Sequence, residues 1–173
     1  MNINKIKKSI TNVPDFPKPG IQFKDITTLL KNQDAFKESI DIFYNTFKDK
    51  KIDKIVGIES RGFIFAAPLA LKIGCSLVLA RKPGKLPKTT ISEEYDLEYG
   101  TNKIEIHTDS ISNGDKVLIV DDLLATGGTA NATGSLINKL GGKLVSFAFL
   151  IELTDLNGAS FLDDNHVFSI IKY

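Results

Sequence analysis

The sequence predicts an α/β fold, a mainly parallel twisted sheet flanked by helices, and three observations carry that prediction. Apolar β-rich runs alternate with helical stretches through the middle of the chain. Residues 115–120 hold four consecutive branched apolar side chains, Val117, Leu118, Ile119 and Val120, which suit a strand covered on both faces. Strand, loop, helix and strand are then legible in order between residues 116 and 151. At 173 residues the chain can bury a sizeable core yet is too short for two complete domains, so residues 1–173 are expected to form one.

In chain order, residues 13–26 come first and stand outside the alternation, with Pro14, Pro17, Pro19 and Gly20. Lys54-Ile55-Val56-Gly57-Ile58 reads as a short buried strand. Residues 63–73, rich in Phe, Ala and Leu, form the helix after it, closed by Gly74. Residues 76–80 make the next strand. Residues 81–103 carry Pro83, Gly84, Pro87 and concentrated charge; they make a poor core element and are expected to be a long mobile loop of the kind that serves as a lid. Asn113-Gly114 turns the chain into the 115–120 strand, which is placed centrally. Residues 128–140 place Ala130, Ala132, Leu136, Ile137 and Leu140 at helical spacing, and Gly141-Gly142 ends that helix before the apolar run 144–151.

Twenty-two Lys plus Arg against 21 Asp plus Glu leave a net charge of +1, so no broad basic field points to nucleic acid and a charged ligand must be held locally. The single cysteine, Cys75, has no partner for an intrachain disulfide; with His107 and His166 it is read as structural, and no zinc-ligand spacing occurs. No apolar run approaches the roughly 18 to 20 residues that span a bilayer, and the N-terminus lacks the apolar core of a signal peptide. The chain reads as cytoplasmic and without a membrane partner.

The chemistry concentrates in residues 117–129. A buried strand ends in two adjacent carboxylates, Asp121 and Asp122, and the small-residue loop Ala125-Thr126-Gly127-Gly128-Thr129 opens a helix. Ligands of open α/β sheets sit beyond the carboxyl ends of the strands, and a helix N-terminus offers free N–H groups with partial positive charge. This loop therefore suits a phosphate. Two carboxylates repel a phosphate unless they face sugar hydroxyls, a hydrated Mg²⁺ or a cationic transition state, so the combination points to a phosphorylated sugar. Read alone, the pair also fits a strand-end turn with one carboxylate capping the helix. The Gly-Lys-Ser/Thr of a Walker loop and any Gly-x-Gly-x-x-Gly are absent, and Gly57-Ile58-Glu59-Ser60-Arg61-Gly62 misses the Gly-x-Ser-x-Gly elbow by one residue.

With these residues the sequence resembles the type I phosphoribosyltransferases, and more narrowly the branch of that family that takes adenine. The likeness runs through Pro14-Asp15-Phe16-Pro17, Phe23-Lys24-Asp25-Ile26, Glu59-Ser60-Arg61-Gly62, Arg81-Lys82, Gly84-Lys85-Leu86-Pro87, Leu97-Glu98-Tyr99-Gly100, the 117–129 block and Glu152-Leu153-Thr154. The resemblance implies a Mg²⁺-dependent purine salvage reaction in which adenine and 5-phosphoribosyl 1-pyrophosphate give AMP and pyrophosphate, with Mg²⁺ carried by the substrate and no direct protein ligand. It also implies a homodimer and a small N-terminal hood over the base.

By the same resemblance, Ala125, Thr126, Gly127, Gly128 and Thr129 hold the 5′-phosphate, and Asp121 and Asp122 face the ribose hydroxyls. Ser60, Arg61, Arg81, Lys82, Lys85 and Tyr99 serve the phosphoribosyl pyrophosphate or AMP. A non-proline cis peptide is expected at Glu59-Ser60, and Arg81 is expected to reach a partner's site. Glu98 becomes the general acid/base on a closing lid. Gln22, Phe23 and Lys24 line the adenine pocket through backbone groups and stacking, with Leu153 on the other face. Lys24 stands where the family commonly has arginine, Gln22 where it has an aliphatic residue, and Ala159 where it has a basic one. A sister transferase for another purine, and a non-catalytic sensor of phosphoribosyl pyrophosphate, are the competing readings.

Overall fold

The computed structural model describes residues 3–96, 100–162 and 167–173. Its centre is a five-stranded sheet, every neighbouring pair parallel, in the order β4 (Ser76–Ala80), β3 (Lys54–Ile58), β7 (Lys116–Leu124), β8 (Lys143–Glu152), β9 (Val167–Lys172). The period of two along each strand sorts the core into two halves. Ile55, Leu118, Val120, Ala148 and Leu150 face a cluster that includes Phe43, Phe65 and Leu69. Those three belong to α3 (Gln33–Phe47) and α4 (Gly62–Ile73). Val56, Ile58, Val117, Ile119, Phe147 and Phe149 face the other cluster, with Leu136 and Ile137 of α5 (Gly128–Lys139). Helices on both faces explain why the strands carry continuous apolar runs.

The expected strands and helices at 54–58, 63–73, 76–80, 115–120, 128–140 and 144–151 all appear. The helix after β3 starts one residue earlier, at Gly62, and ends at Gly74 in the left-handed conformation, φ 83°. Residues 81–103 correct the expectation of one long loop. Thr90–Asp96 (β5) and Thr101–His107 (β6) form an antiparallel pair, with Ile91 opposite Ile106 and Glu93 opposite Ile104. Ile104 and Ile106 are fully buried, and Ile91 and Tyr95 pack on the same cluster. Glu93, ion-paired to Lys139 of α5, interrupts the apolar alternation and disguises the strand. An antiparallel bridge between Arg81 and Glu105 ties the hairpin to the end of β4.

Near the N-terminus, α1 (Ile3–Lys8) leads into a second hairpin, β1 (Thr11–Pro14) with β2 (Gln22–Asp25), followed by the short α2 (Thr27–Leu30). Its connection contains a cis Phe16–Pro17 bond, and the Gly20 N–H donates to Asp15 Oδ1 at 2.7 Å. The sequence left residues 27–53 unassigned. They hold α3, whose Phe36, Ile40, Phe43 and Phe47 follow the helical repeat and whose N-cap, Asn32, accepts from the Ala35 N–H at 3.1 Å.

Candidate active site

The three central strands each carry predicted site residues at or beyond their carboxyl ends. Beyond β3 lies the turn Glu59-Ser60-Arg61-Gly62, beyond the middle of β7 the acidic pair and the small-residue loop, and beyond β8 Leu153. The Glu59–Ser60 peptide is cis, as the resemblance implied. Gly62 lets this turn press against β7: a Cβ there would lie 2.7 Å from the Val120 carbonyl and 2.9 Å from Asp121 Oδ1. A cavity of about 350 Å³ is lined by Glu59, Ser60, Arg61, Lys82, Asp121, Asp122 and Leu123. Anionic and cationic side chains therefore face one another across it.

Asp122 is 5 % exposed and receives the Arg61 Nε at 2.7 Å. Asp121 Oδ1 accepts the Asp122 N–H at 2.8 Å. Burial, then repulsion from Asp122, pushes the Asp121 carboxyl well above its ordinary 3.8. Burial also raises Asp122, against the pull of Arg61. Glu59 goes the other way. Burial favours its neutral form, yet the Lys82 N–H at 2.9 Å and Arg81 overcome that and hold its pKa below the ordinary value.

The small-residue loop turns at Gly127, φ 88°, directly before α5. It lines a hollow of about 90 Å³ with Asp121, Ala125, Thr126, Gly128 and Thr129. Behind the loop sits α6 (Gly158–Phe161): a Cβ on Gly127 would lie 2.9 Å from the Gly158 carbonyl, and one on Gly158 would overlap the Ala125 carbonyl oxygen. Gly62 and Gly158 are among the site residues to which sequence reasoning gave no role, as are Glu59 and Leu123. The role of the two glycines is steric, and their place in the sequence does not announce it. A larger hollow of about 430 Å³ continues from Thr126 and Gly128 to Glu93 and Tyr95 of β5.

On the N-terminal hairpin, Phe23 meets the Arg61 guanidinium at 5.6 Å and Phe16 edge-on at 5.0 Å. Phe23, Arg61 and Asp122 thus run in line from hairpin to carboxylate. Gln22 and Lys24, one residue to either side, both engage Asn12: its Nδ2 donates to Gln22 Oε1 at 2.6 Å, and Lys24 Nζ donates to its Oδ1 at 2.9 Å. Strand alternation sends these two side chains to the face opposite Phe23. Leu153 is half-buried, its N–H donating to the Leu124 carbonyl at 2.9 Å.

Arg81 binds within its own chain, to Glu59 at 3.2 Å and to the Lys85 carbonyl at 2.9 Å, and does not line the 350 Å³ cavity. Lys82 lines it; Lys85 is exposed. Glu98, Tyr99 and His166 lie outside the described residues. Cys75 is half-buried, with its thiol pKa raised by that burial. His107 Nε2 lies 2.5 Å from the Pro87 carbonyl.

The parallel sheet, the cis-peptide turn and the acidic pair preceding a helix-opening loop define the type I phosphoribosyltransferase architecture. The description "phosphoribosyl transferase domain" matches residues 25–172, and the chain belongs to that family. Several similar proteins carry the name adenine phosphoribosyltransferase. An adenine phosphoribosyltransferase of Chloroflexus aurantiacus is 57 % identical over 164 residues, covering 95 % of each chain. The crystal structure of adenine phosphoribosyltransferase from Thermoanaerobacter pseudethanolicus is 50 % identical, with a TM-score of 0.95 over 99 % of both chains. The Saccharomyces cerevisiae enzyme, complexed with adenine and an imino-altritol bisphosphate, is 40 % identical, with a TM-score of 0.92 over 98 % of both.

Proposed function

We propose that this protein salvages adenine, transferring the phosphoribosyl group of 5-phosphoribosyl 1-pyrophosphate to it and releasing AMP and pyrophosphate. The observation that carries the reading is the junction of the 125–129 loop with Asp121 and Asp122: a phosphate cradle at a helix N-terminus beside two carboxylates. The names of the relatives support adenine as the base.

In this mechanism the backbone N–H groups of residues 126–129 bind the 5′-phosphate, and Arg61 and Lys82 meet the pyrophosphate. The N9–C1′ bond forms as the bond from C1′ to the pyrophosphate oxygen breaks, its electron pair leaving with pyrophosphate. Positive charge grows on the ribose, and Asp121 and Asp122, fixed near the end of β7, stabilise it. Glu98 exchanges a proton with a purine ring nitrogen. Phe23 and Leu153 cover the two faces of the base.

Among the described residues no three His, Cys, Asp or Glu side chains converge as a metal-holding group. A cleft with two carboxylates facing Arg61 and Lys82 fits Mg²⁺ that arrives on the pyrophosphate with its waters. Bound there, Mg²⁺ would neutralise charge on the leaving group.

We read residues 1–173 as one domain because a single buried cluster joins Ile6 to Ile171. A homodimer is supported by exposed apolar side chains, Leu77 and Leu79 on edge strand β4 and Leu71 on α4 at 86 %. A monomeric mass in sedimentation would contradict it. A cytoplasmic location fits the single free thiol; among the described residues no helix is long and apolar enough to cross a membrane. The balanced charge offers no broad basic field of the kind that draws nucleic acid.

Mixing the protein with Mg²⁺, phosphoribosyl pyrophosphate and each nucleobase in turn tests the function. AMP from adenine alone is expected. IMP or GMP would move the assignment to another purine, and ligand binding without any nucleotide would indicate a sensor.

A further inference from the structure

The two walls of the base site come from different sheets, Phe23 from the β1–β2 hairpin and Leu153 from the end of the main sheet. A purine held between two walls needs contact at roughly 3.5 to 4 Å on each face, so the gap matters more than either wall. Tyr173 touches the neighbours of both. Its N–H donates to the Glu152 carbonyl at 3.0 Å, and its carbonyl accepts from the Thr154 N–H at 2.9 Å and Oγ1 at 2.7 Å. Both residues flanking Leu153 are therefore tied to it.

The ring of Tyr173 carries the other tie. Lys24 Nζ sits 4.2 Å from the ring centroid and also donates to Asn12 Oδ1, while Asn12 holds Gln22. Both residues flanking Phe23 are thus linked, through Lys24, to the same ring. Lys7 Nζ adds a second cation at 4.4 Å and donates to the Lys172 carbonyl at 3.3 Å, tying α1 to the end of β9. A half-buried aromatic ring near two ammonium groups holds them by their charge, an attraction that an aliphatic side chain does not offer.

We infer that Tyr173 is a positioning residue that sets the distance between the Phe23 and Leu153 walls and so tunes affinity for the base. The inference rests on the adenine-transfer reading above.

Steady-state kinetics of Tyr173→Ala, Tyr173→Phe and Lys24→Met test it. Tyr173→Ala is expected to raise KM for adenine about 5-fold with KM for phosphoribosyl pyrophosphate unchanged, and Tyr173→Phe, which keeps the ring, to restore the wild-type value. Lys24→Met removes the ammonium from the ring while keeping Tyr173 and its backbone hydrogen bonds, and is expected to reproduce the split even if Tyr173→Ala does not fold. An unchanged adenine KM, an equal rise for both substrates, or no rescue by phenylalanine would overturn the positioning role. A wild-type protein that forms no AMP would instead overturn the function on which it rests, before any variant is compared.

Discussion

Gly158→Ala isolates the support beneath the phosphate loop. Gly158 does not need a positive φ, so alanine adds only a methyl group. That Cβ would sit roughly 1 Å inside ordinary contact distance of the Ala125 carbonyl oxygen, and it meets Leu124 Cδ1 at 3.0 Å and the Ala125 carbonyl carbon at 3.1 Å. Two of the three neighbours are loop backbone, so the loop must move. Overpacking of this kind costs about 1–3 kcal/mol, which lowers Tm by roughly 2–4 °C per kcal/mol in a chain of this size. A displacement near 1 Å in a positioning loop lowers turnover by up to about 10²-fold. Calorimetry and steady-state kinetics should therefore show a lower Tm, a raised KM for phosphoribosyl pyrophosphate and a reduced kcat. Gly74→Ala is the control: its site is open but left-handed, so it should lose stability with unchanged kinetics. Wild-type Tm and kinetics in Gly158→Ala would refute the claim that α6 supports the loop.

Asp121→Asn should stabilise the protein while reducing turnover. Burial raises the Asp121 pKa above 3.8, so the folded state holds the proton more tightly than the unfolded state, and wild-type stability falls as pH rises from about 3.8 through the folded value. The variant should be the more stable at neutral pH, with the difference vanishing below that window; equal Tm at pH 7 would contradict the raised pKa. The acid limb of wild-type kcat/KM should likewise fall at a pH above 3.8, because charge stabilisation needs the ionised form. Glu98→Ala should keep binding of phosphoribosyl pyrophosphate yet slow the single-turnover chemical step by about 10² to 10⁴-fold; an unchanged step would remove Glu98 from the acid/base role.

Much of the main sheet was legible because buried parallel strands write continuous apolar runs, as at 54–58 and 115–120. The acidic pair and its loop were legible because glycines and hydroxyls before a helix have few other uses. The β5–β6 hairpin was not, since Glu93 and its charged neighbours hide an apolar face that only the packing against α5 explains. Gly62 and Gly158 were silent because their function is the absence of a side chain where another backbone passes. The sequence could name Gln22 and Lys24 but not aim them: which face of β2 looks at the cleft is set by pairing with β1 and by Tyr173, far away in the chain.

The central claim is that residues 125–129 grip the sugar's phosphate while the neighbouring carboxylates attend to its ring. A crystal structure of the protein with AMP tests it most directly. The account predicts the 5′-phosphate on the N–H groups of residues 126–129, the ribose hydroxyls within hydrogen-bond distance of Asp121 and Asp122, and adenine between Phe23 and Leu153. A phosphate bound away from the loop, with both carboxylates free of the ribose, would contradict it.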